Sequence, residues 1–105
     1  MNQSNLDKVI QMLTKIPKGR VVTYKSLATY LKIKNPRLIG TYIHKNTDPT
    51  TYPCHRVVKS NGTLASGYTF GGKNSQKQKL IEEGIVFSKD KIDLKKYQFH
   101  FPLEK

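Results

Sequence analysis

The sequence predicts one small domain, mainly α with short β elements, built on a helix-turn-helix in a winged-helix-like arrangement. Three observations carry this expectation. Apolar residues recur at helical spacing near the N-terminus, two short helix signals flank a basic turn at Lys32 to Lys34, and the one cysteine, Cys54, follows a segment stiffened by Pro49 and Pro53. At 105 residues the chain has room for one modest core, and no composition break marks a second domain, so residues 1–105 are expected to form a single unit.

Leu6, Val9, Ile10, Leu13 and Ile16 lie on one helical face, with Ser4 and Asp7 placed as a capping pair, so the spacing predicts a helix over residues 5 to 16. Pro17-Lys18-Gly19 ends it, and Val21-Val22 read as a short extended piece. Thr23 can cap a second helix over 24–31 that buries Leu27 and Leu31. Asn35-Pro36 pairs an N-cap with a proline at the first helical position, which predicts a third helix over 36–45 and a helix-turn-helix spanning about 24–46. The segment 46–53 holds two prolines and reads as a rigid loop. Val57-Val58, Ser60-Asn61-Gly62 and Thr63-Leu64 read as a tight turn between extended pieces. Residues 66–72 (SGYTFGG) form a glycine-rich aromatic loop able to approach a ligand. Asn74 or Ser75 can cap a fourth helix ending near Glu83, with Gly84 as its C-terminal stop. Residues 85–96 alternate around a Ser-Lys-Asp turn as a small hairpin, and an aromatic tail follows over 97–101.

Nineteen Lys and Arg against seven Asp and Glu give a net charge of +12, which points to a polyanionic partner and above all to nucleic acid. The charges are dispersed rather than run together, which excludes a disordered basic tail. A lone cysteine cannot close an internal disulfide, no apolar run approaches the roughly 20 residues of a membrane span, and the first residues lack a signal-peptide core. An intracellular setting is the expectation. Cys54, His44, His55 and His100 show no paired spacing of a zinc site, so neither metal nor cofactor is expected.

An isolated free cysteine is most often a small buried hydrophobe. Here His55 and Arg56 flank it in a strongly positive chain, a setting that favours thiolate. Adjacent residues of an extended segment point apart, so the expectation is a proton relay through water, or a base from elsewhere in the fold, rather than direct pairing with His55.

Pro53-Cys54-His55-Arg56-Val57 resembles the PCHRV active-site signature of the O6-alkylguanine-DNA alkyltransferases, the methylated-DNA-protein-cysteine methyltransferases. The resemblance covers nearly the whole chain: IPKGRVVTYKSLA at 16–28, Arg37-Leu38-Ile39-Gly40, Asn46 eight residues before the cysteine, Ser60-Asn61-Gly62, Gly67-Tyr68 with Gly71-Gly72, and Glu83-Gly84 fall in family order. It implies a monomeric repair protein that docks on the minor groove of double-stranded DNA, flips O6-alkylguanine into a pocket and transfers the alkyl group once, irreversibly, to its own cysteine.

By that resemblance Cys54 is the nucleophile, His55 its base through water and Glu83 the acid that orients His55, with Glu82 as the alternative acid. Tyr24 would hydrogen-bond the flipped base and face the neighbouring phosphate, Arg37 would fill the space left in the duplex, and Thr41 and Ser60 would join the DNA contacts. Asn46 would brace the turn before the cysteine, Val57 would offer its carbonyl to the guanine amine, and Pro49, Tyr68 and Thr69 would line the pocket. Without the resemblance, Tyr24, Arg37, Asn46 and Glu83 read as ordinary helix and loop residues.

Two departures matter. The short chain resembles the alkyltransferase-like proteins, which bind and flip alkylguanine but carry tryptophan in place of the nucleophile, whereas Cys54 is present here. A non-catalytic lesion binder is therefore the alternative reading. By the resemblance, the recognition helix carries Leu38, Thr41 and Tyr42 where the family has smaller residues, which implies an altered groove fit.

Overall fold

A computed structural model describes residues 4–65 and 68–101. Its elements in chain order are α1 (Asn5–Leu13), β1 (Val22–Thr23), α2 (Tyr24–Leu31), α3 (Arg37–Ile43), a 3-10 turn (Cys54–Arg56), β2 (Val57–Val58), α4 (Gly72–Glu82), β3 (Phe87–Ser88), β4 (Lys91–Ile92) and α5 (Leu94–Tyr97). The mainly helical fold with short strands is thus as expected from sequence.

Local chemistry explains most boundaries. The Ser4 hydroxyl accepts from the Asp7 amide at 3.1 Å and starts α1. That helix stops at Leu13 rather than at residue 16, because Thr14, Lys15 and Ile16 bond back to Gln11, Met12 and Leu13 and tighten the last turn; Ile16 is still buried. Thr23 and Ser26 form a reciprocal capping box at the start of α2. Asn35 accepts from the Arg37 amide at 3.0 Å and starts α3, which is shorter than the expected 36–45, running only to Ile43. Helix α4 begins at Gly72, ahead of Asn74 and Ser75, with no side-chain cap. It ends as expected: Gly84 has φ of 98°, and its amide and that of Ile85 return to the carbonyls of Ile81 and Leu80.

The strands hold one surprise. Val57-Val58 do not pair with Thr63-Leu64; they pair in parallel with β1, Val22 opposite Val57 and Thr23 opposite Val58. A parallel pair requires a long crossover, and α2, α3 and the proline loop supply it. Because successive strand residues face opposite ways, Val22 and Val57 join one apolar cluster while Val21 and Val58 join another. The first cluster gathers Val9, Leu13, Leu27, Ala28, Ile39 and Ile43 from the first three helices and Ile16 from the turn after α1, and Cys54 lies in it. The second gathers Leu64, Leu80, Ile85, Ile92 and Tyr97. Each fully buried aliphatic side chain stabilises the fold by about 1.5–3 kcal/mol.

The hairpin is narrower than the expected 85–96. It spans β3 and β4 around Lys89 and Asp90, both with positive φ, and Asp93 then caps the single turn of α5. The tail returns to the sheet: the Val21 amide bonds to the Tyr97 carbonyl and the Phe99 amide to the Val21 carbonyl, at 3.0 and 2.7 Å.

The Lys59–Gly62 turn is pinned against this hairpin. Gly62 has φ of 85°, its carbonyl accepts from the Ile92 amide at 2.9 Å, and a Cβ there would run into the Ile92 carbonyl oxygen. Gly62→Ala is expected to cost roughly 2–4 kcal/mol, left-handed strain added to overpacking, read as a lowered urea midpoint at unchanged slope.

Candidate active site

The proline loop places Cys54 through one side chain. Asn46, 5% exposed, donates to the Tyr52 carbonyl at 2.8 Å and accepts from the Asp48 amide at 3.0 Å. The same Tyr52 carbonyl accepts the Cys54 amide at 2.7 Å. Asn46 therefore braces the bend that presents the cysteine.

Cys54 is 3% exposed, yet it lines a cavity of about 400 Å³. That volume falls in the range of small-molecule sites. Tyr24 opens α2 into the cavity, Arg37 and Gly40 come from α3, and Tyr68 and Thr69 come from the loop before α4. An adjoining open groove is lined by Tyr24, Lys25, Pro36, Lys59, Ser60 and Asn61. Arg37 is exposed at the rim and makes no salt bridge among the described residues.

Behind the cysteine lies a charge cluster. His55 Nε2 is 2.9 Å from Glu83 Oε2, and the Arg56 guanidinium grips Glu83 bidentately, Nε to Oε1 at 2.9 Å and Nη2 to Oε2 at 2.7 Å. Arg56 Nη1 also donates to the Ile16 carbonyl at 2.8 Å, and the Gly19 amide reaches Glu83 Oε1 at 3.5 Å. Burial opposes the charge on Glu83, but Arg56 and His55 outweigh it and hold the carboxyl at about 2. Burial lowers the His55 pKa, against the opposite pull of Glu83, so the imidazole is neutral at pH 7. With Nε2–H donated to Glu83, the lone pair sits on Nδ1, which is buried and has no hydrogen-bond partner among the described residues. A neutral imidazole in this tautomer carries a free proton acceptor on Nδ1.

The thiol itself departs from expectation. Burial pushes the Cys54 pKa up, against weaker pulls from Asn46, its own backbone amide, Lys79 and Tyr68. The positive surroundings do not overcome the apolar packing, so Cys54 rests as a thiol and needs a base. Burial and the neighbouring sulfur likewise raise the pKa of Tyr24, keeping it a proton donor.

Several other expectations meet a different placement. Pro49 is half-buried but is not among the cavity-lining residues; Pro36 and Ile43 supply apolar wall instead. Val57 is fully buried outside the cavity, and its carbonyl already accepts from Gln76 Nε2 at 3.2 Å. Thr41 is exposed on α3, with its hydroxyl 3.4 Å from the Arg37 carbonyl. Glu82 is exposed and accepts a side-chain hydrogen bond from Gln78 at 3.4 Å, whereas Glu83 is the acid that reaches His55. Of the bulky α3 residues, Tyr42 packs on the core while Leu38 stays outside, 39% exposed. Ser66 and Gly67 of the expected pocket loop lie outside the described residues.

Sequence reasoning missed three participants. Gln76, 2% exposed, lines the cavity and donates to the carbonyls of His55 and Val57. His44 lines it too, with Nδ1 3.0 Å from the Thr69 hydroxyl. Lys79 stands over the Tyr68 ring at 5.5 Å. The polar Gln76 at a buried position of α4 was the one available signal.

Residues 5–85 match the family model described as the 6-O-methylguanine DNA methyltransferase, DNA binding domain. The chain belongs to this family. It is 51% identical over 82 residues to a methylated-DNA--protein-cysteine methyltransferase of Candida glabrata, a match covering 77% of this chain and 38% of that protein. It is 33% identical over 97 residues to alkyltransferase-like protein 1 of Schizosaccharomyces pombe, covering 90% of this chain and 87% of that one. In structure it resembles S. pombe Atl1 in complex with damaged DNA containing O6-carboxymethylguanine, with a TM-score of 0.81 at 29% identity over 94% of this chain and 98% of that one. It also resembles Mycobacterium tuberculosis OGT in complex with DNA, at a TM-score of 0.70 and 27% identity over 79% and 51% of the two chains. The chain thus spans well under half the length of the Candida methyltransferase and nearly all of the S. pombe alkyltransferase-like protein. No helix among the described residues is long and apolar enough to cross a membrane.

Proposed function

We propose that this family member is a DNA-repair alkyltransferase that accepts O6-alkylguanine flipped from duplex DNA and takes the alkyl group onto its own Cys54 in a single turnover. The observation that carries this reading is the union of one cavity-lining cysteine with a neutral, Glu83-anchored imidazole whose free lone pair is on Nδ1. An alkyl group on guanine oxygen is a poor electrophile, so it needs an aligned sulfur nucleophile and a donor on the departing base.

In the proposed step His55 Nδ1 takes the thiol proton, through one water. The sulfur forms its bond to the alkyl carbon as the carbon–O6 bond breaks, and the electron pair moves into the guanine. Tyr24 donates toward the base, and the proton lost by the thiol is the one the guanine ring gains. A thioether has no ready leaving group, which makes the transfer irreversible. The net charge of +12 favours the phosphate backbone, and the segments 24–46, 53–57 and 66–72 act together as one DNA-binding alkyltransferase domain over residues 1–105. Incubation with a methylguanine duplex should raise the intact protein mass by one methyl group at Cys54; a folded protein that binds the lesion with no mass change would defeat the reading.

That second outcome is the non-catalytic lesion binder, favoured by the near full-length match to the S. pombe alkyltransferase-like protein and by a thiol whose pKa burial has raised.

Arg37 projects at the rim without an ion-pair partner among the described residues, so we assign it the space vacated in the duplex. Arg37→Ala should slow reaction with a methylguanine duplex by about 10–100-fold and leave reaction with the free modified base within about twofold, since it acts on the stack and not on sulfur. Equal losses on both substrates would remove Arg37 from this role.

A further inference from the structure

Helix α4 and its C-cap residue carry Gln76, Lys79, Leu80 and Glu83 at the i, i+3, i+4, i+7 spacing of a helical stripe. Gln76 lines the cavity, Leu80 is buried in the second cluster, and Glu83 holds His55. Lys79 is the member with no assigned part. Its natural surface partner would be Glu83, four residues on, but both Glu83 oxygens are engaged by Arg56 and His55, and Lys79 makes no salt bridge among the described residues. Its ammonium instead lies 5.5 Å from the centroid of the Tyr68 ring. Tyr68 lines the cavity beside Cys54, and its hydroxyl is buried with no hydrogen-bond partner among the described residues.

We propose that Lys79 is a positioning residue for the thiol: its ammonium, held over the face of Tyr68, makes the Tyr68 hydroxyl a stronger donor toward the Cys54 sulfur and so biases Cys54 toward the thiolate. The proposal deepens the reading of Cys54 as nucleophile and rests on it. A cation over an aromatic ring withdraws electron density from the phenol and strengthens its O–H as a donor. Cys54 and Tyr68 line the same cavity, the Tyr68 hydroxyl is a buried donor left free to turn toward the sulfur, and Lys79 favours the charged form of both groups. The other titratable and charged groups around the sulfur are Tyr24 from α2, Arg37 and His44 from α3, Lys59 after β2, and the His55–Glu83–Arg56 cluster behind it. Arg37, His44 and Lys59 share the open cavity with solvent, whereas Lys79 meets the sulfur through a half-buried ring.

Because the chain has one cysteine, thiol ionisation can be read without DNA: the rate of iodoacetamide modification is followed by intact mass from about pH 7 to 11.5, a window that reaches a thiol raised by burial. In Lys79→Leu the midpoint of the rate profile should rise by about 0.5–1 pH unit, a three- to tenfold slower reaction at pH 7, with Lys79→Gln shifted alike and Lys79→Arg restoring the original midpoint. In a Tyr68→Phe background the Lys79→Leu shift should shrink by at least half. Wild-type midpoints in the folded Leu and Gln variants would overturn the proposal, and a full shift persisting without the Tyr68 hydroxyl would overturn the route through it. Failure of alkyl transfer from methylguanine DNA would leave this titration unaffected, so the two readings fail separately.

Discussion

Cys54→Ser is expected to abolish mass gain from methylguanine DNA, a loss of at least about 10³-fold in rate, while lesion binding changes by less than about threefold. The argument is one of nucleophilicity at nearly constant shape. A serine hydroxyl is far harder to ionise than a thiol, and the neutral His55 beside it is a weak base without the refined contact geometry of a serine triad. The walls that would hold the base, Tyr24, Ile43, Tyr68 and Gln76, are untouched by the change. The new hydroxyl would sit in an apolar cluster at a 3% exposed position, a cost of about 1–2 kcal/mol that Asn46 and Tyr68 can partly offset. The measurement is intact mass beside fluorescence anisotropy on one labelled duplex. Persistent methyl gain in the serine protein would mean that another side chain is the acceptor.

The second large effect centres on Glu83. With its side chain 11% exposed and that of Arg56 15% exposed, this is no solvent-bathed pair, and Glu83→Gln leaves a guanidinium without its counter-charge. The expected loss is about 3 kcal/mol at pH 7. The pH dependence follows from the signs. Glu83 is held at about 2 in the folded chain against 4.5 when unfolded, so its contribution is complete above pH 4.5 and is lost as pH falls toward 2. His55 has a folded pKa below 6.5, so the unfolded chain gains that proton first and stability declines further as pH drops below 6.5. Wild type should therefore weaken progressively in acid, and Glu83→Gln should show a flatter acid limb from a lower plateau. Alkyl transfer should also slow by about 10–100-fold, because a side-chain amide can take either tautomer of His55 and no longer fixes the lone pair on Nδ1. Parallel acid limbs for the two proteins would refute the assignment of Glu83 as the anchor.

What could be read from letters was whatever local chemistry decides. Thr23, Asn35 before Pro36, Gly84 after Glu83, and the Ser-Lys-Asp turn all announced their elements, because each satisfies backbone groups within a few residues. Asn46 and Cys54 were legible only through the family pattern, although their geometry is local, eight residues apart along one loop. What was not legible needed distance or depth. The parallel pairing of β1 with β2 depends on a crossover of two helices, and the Arg56–Glu83 grip joins positions 27 apart. The sign of the Cys54 shift reversed because flanking charges are visible in sequence, whereas the desolvation that outweighs them comes from three helices closing over the sulfur. Pro49 was assigned to the pocket by position in a motif, and the loop carries it elsewhere.

The bonds from Arg56 to the Ile16 carbonyl and from Gly19 to Glu83 fasten the bend after the first helix to the proton-handling cluster. Alignment of the imidazole is thereby set from a stretch of chain that lines no part of the cavity. Changes in that bend should surface as kinetic faults even where the melting temperature barely moves, and a screen confined to cavity residues would overlook them.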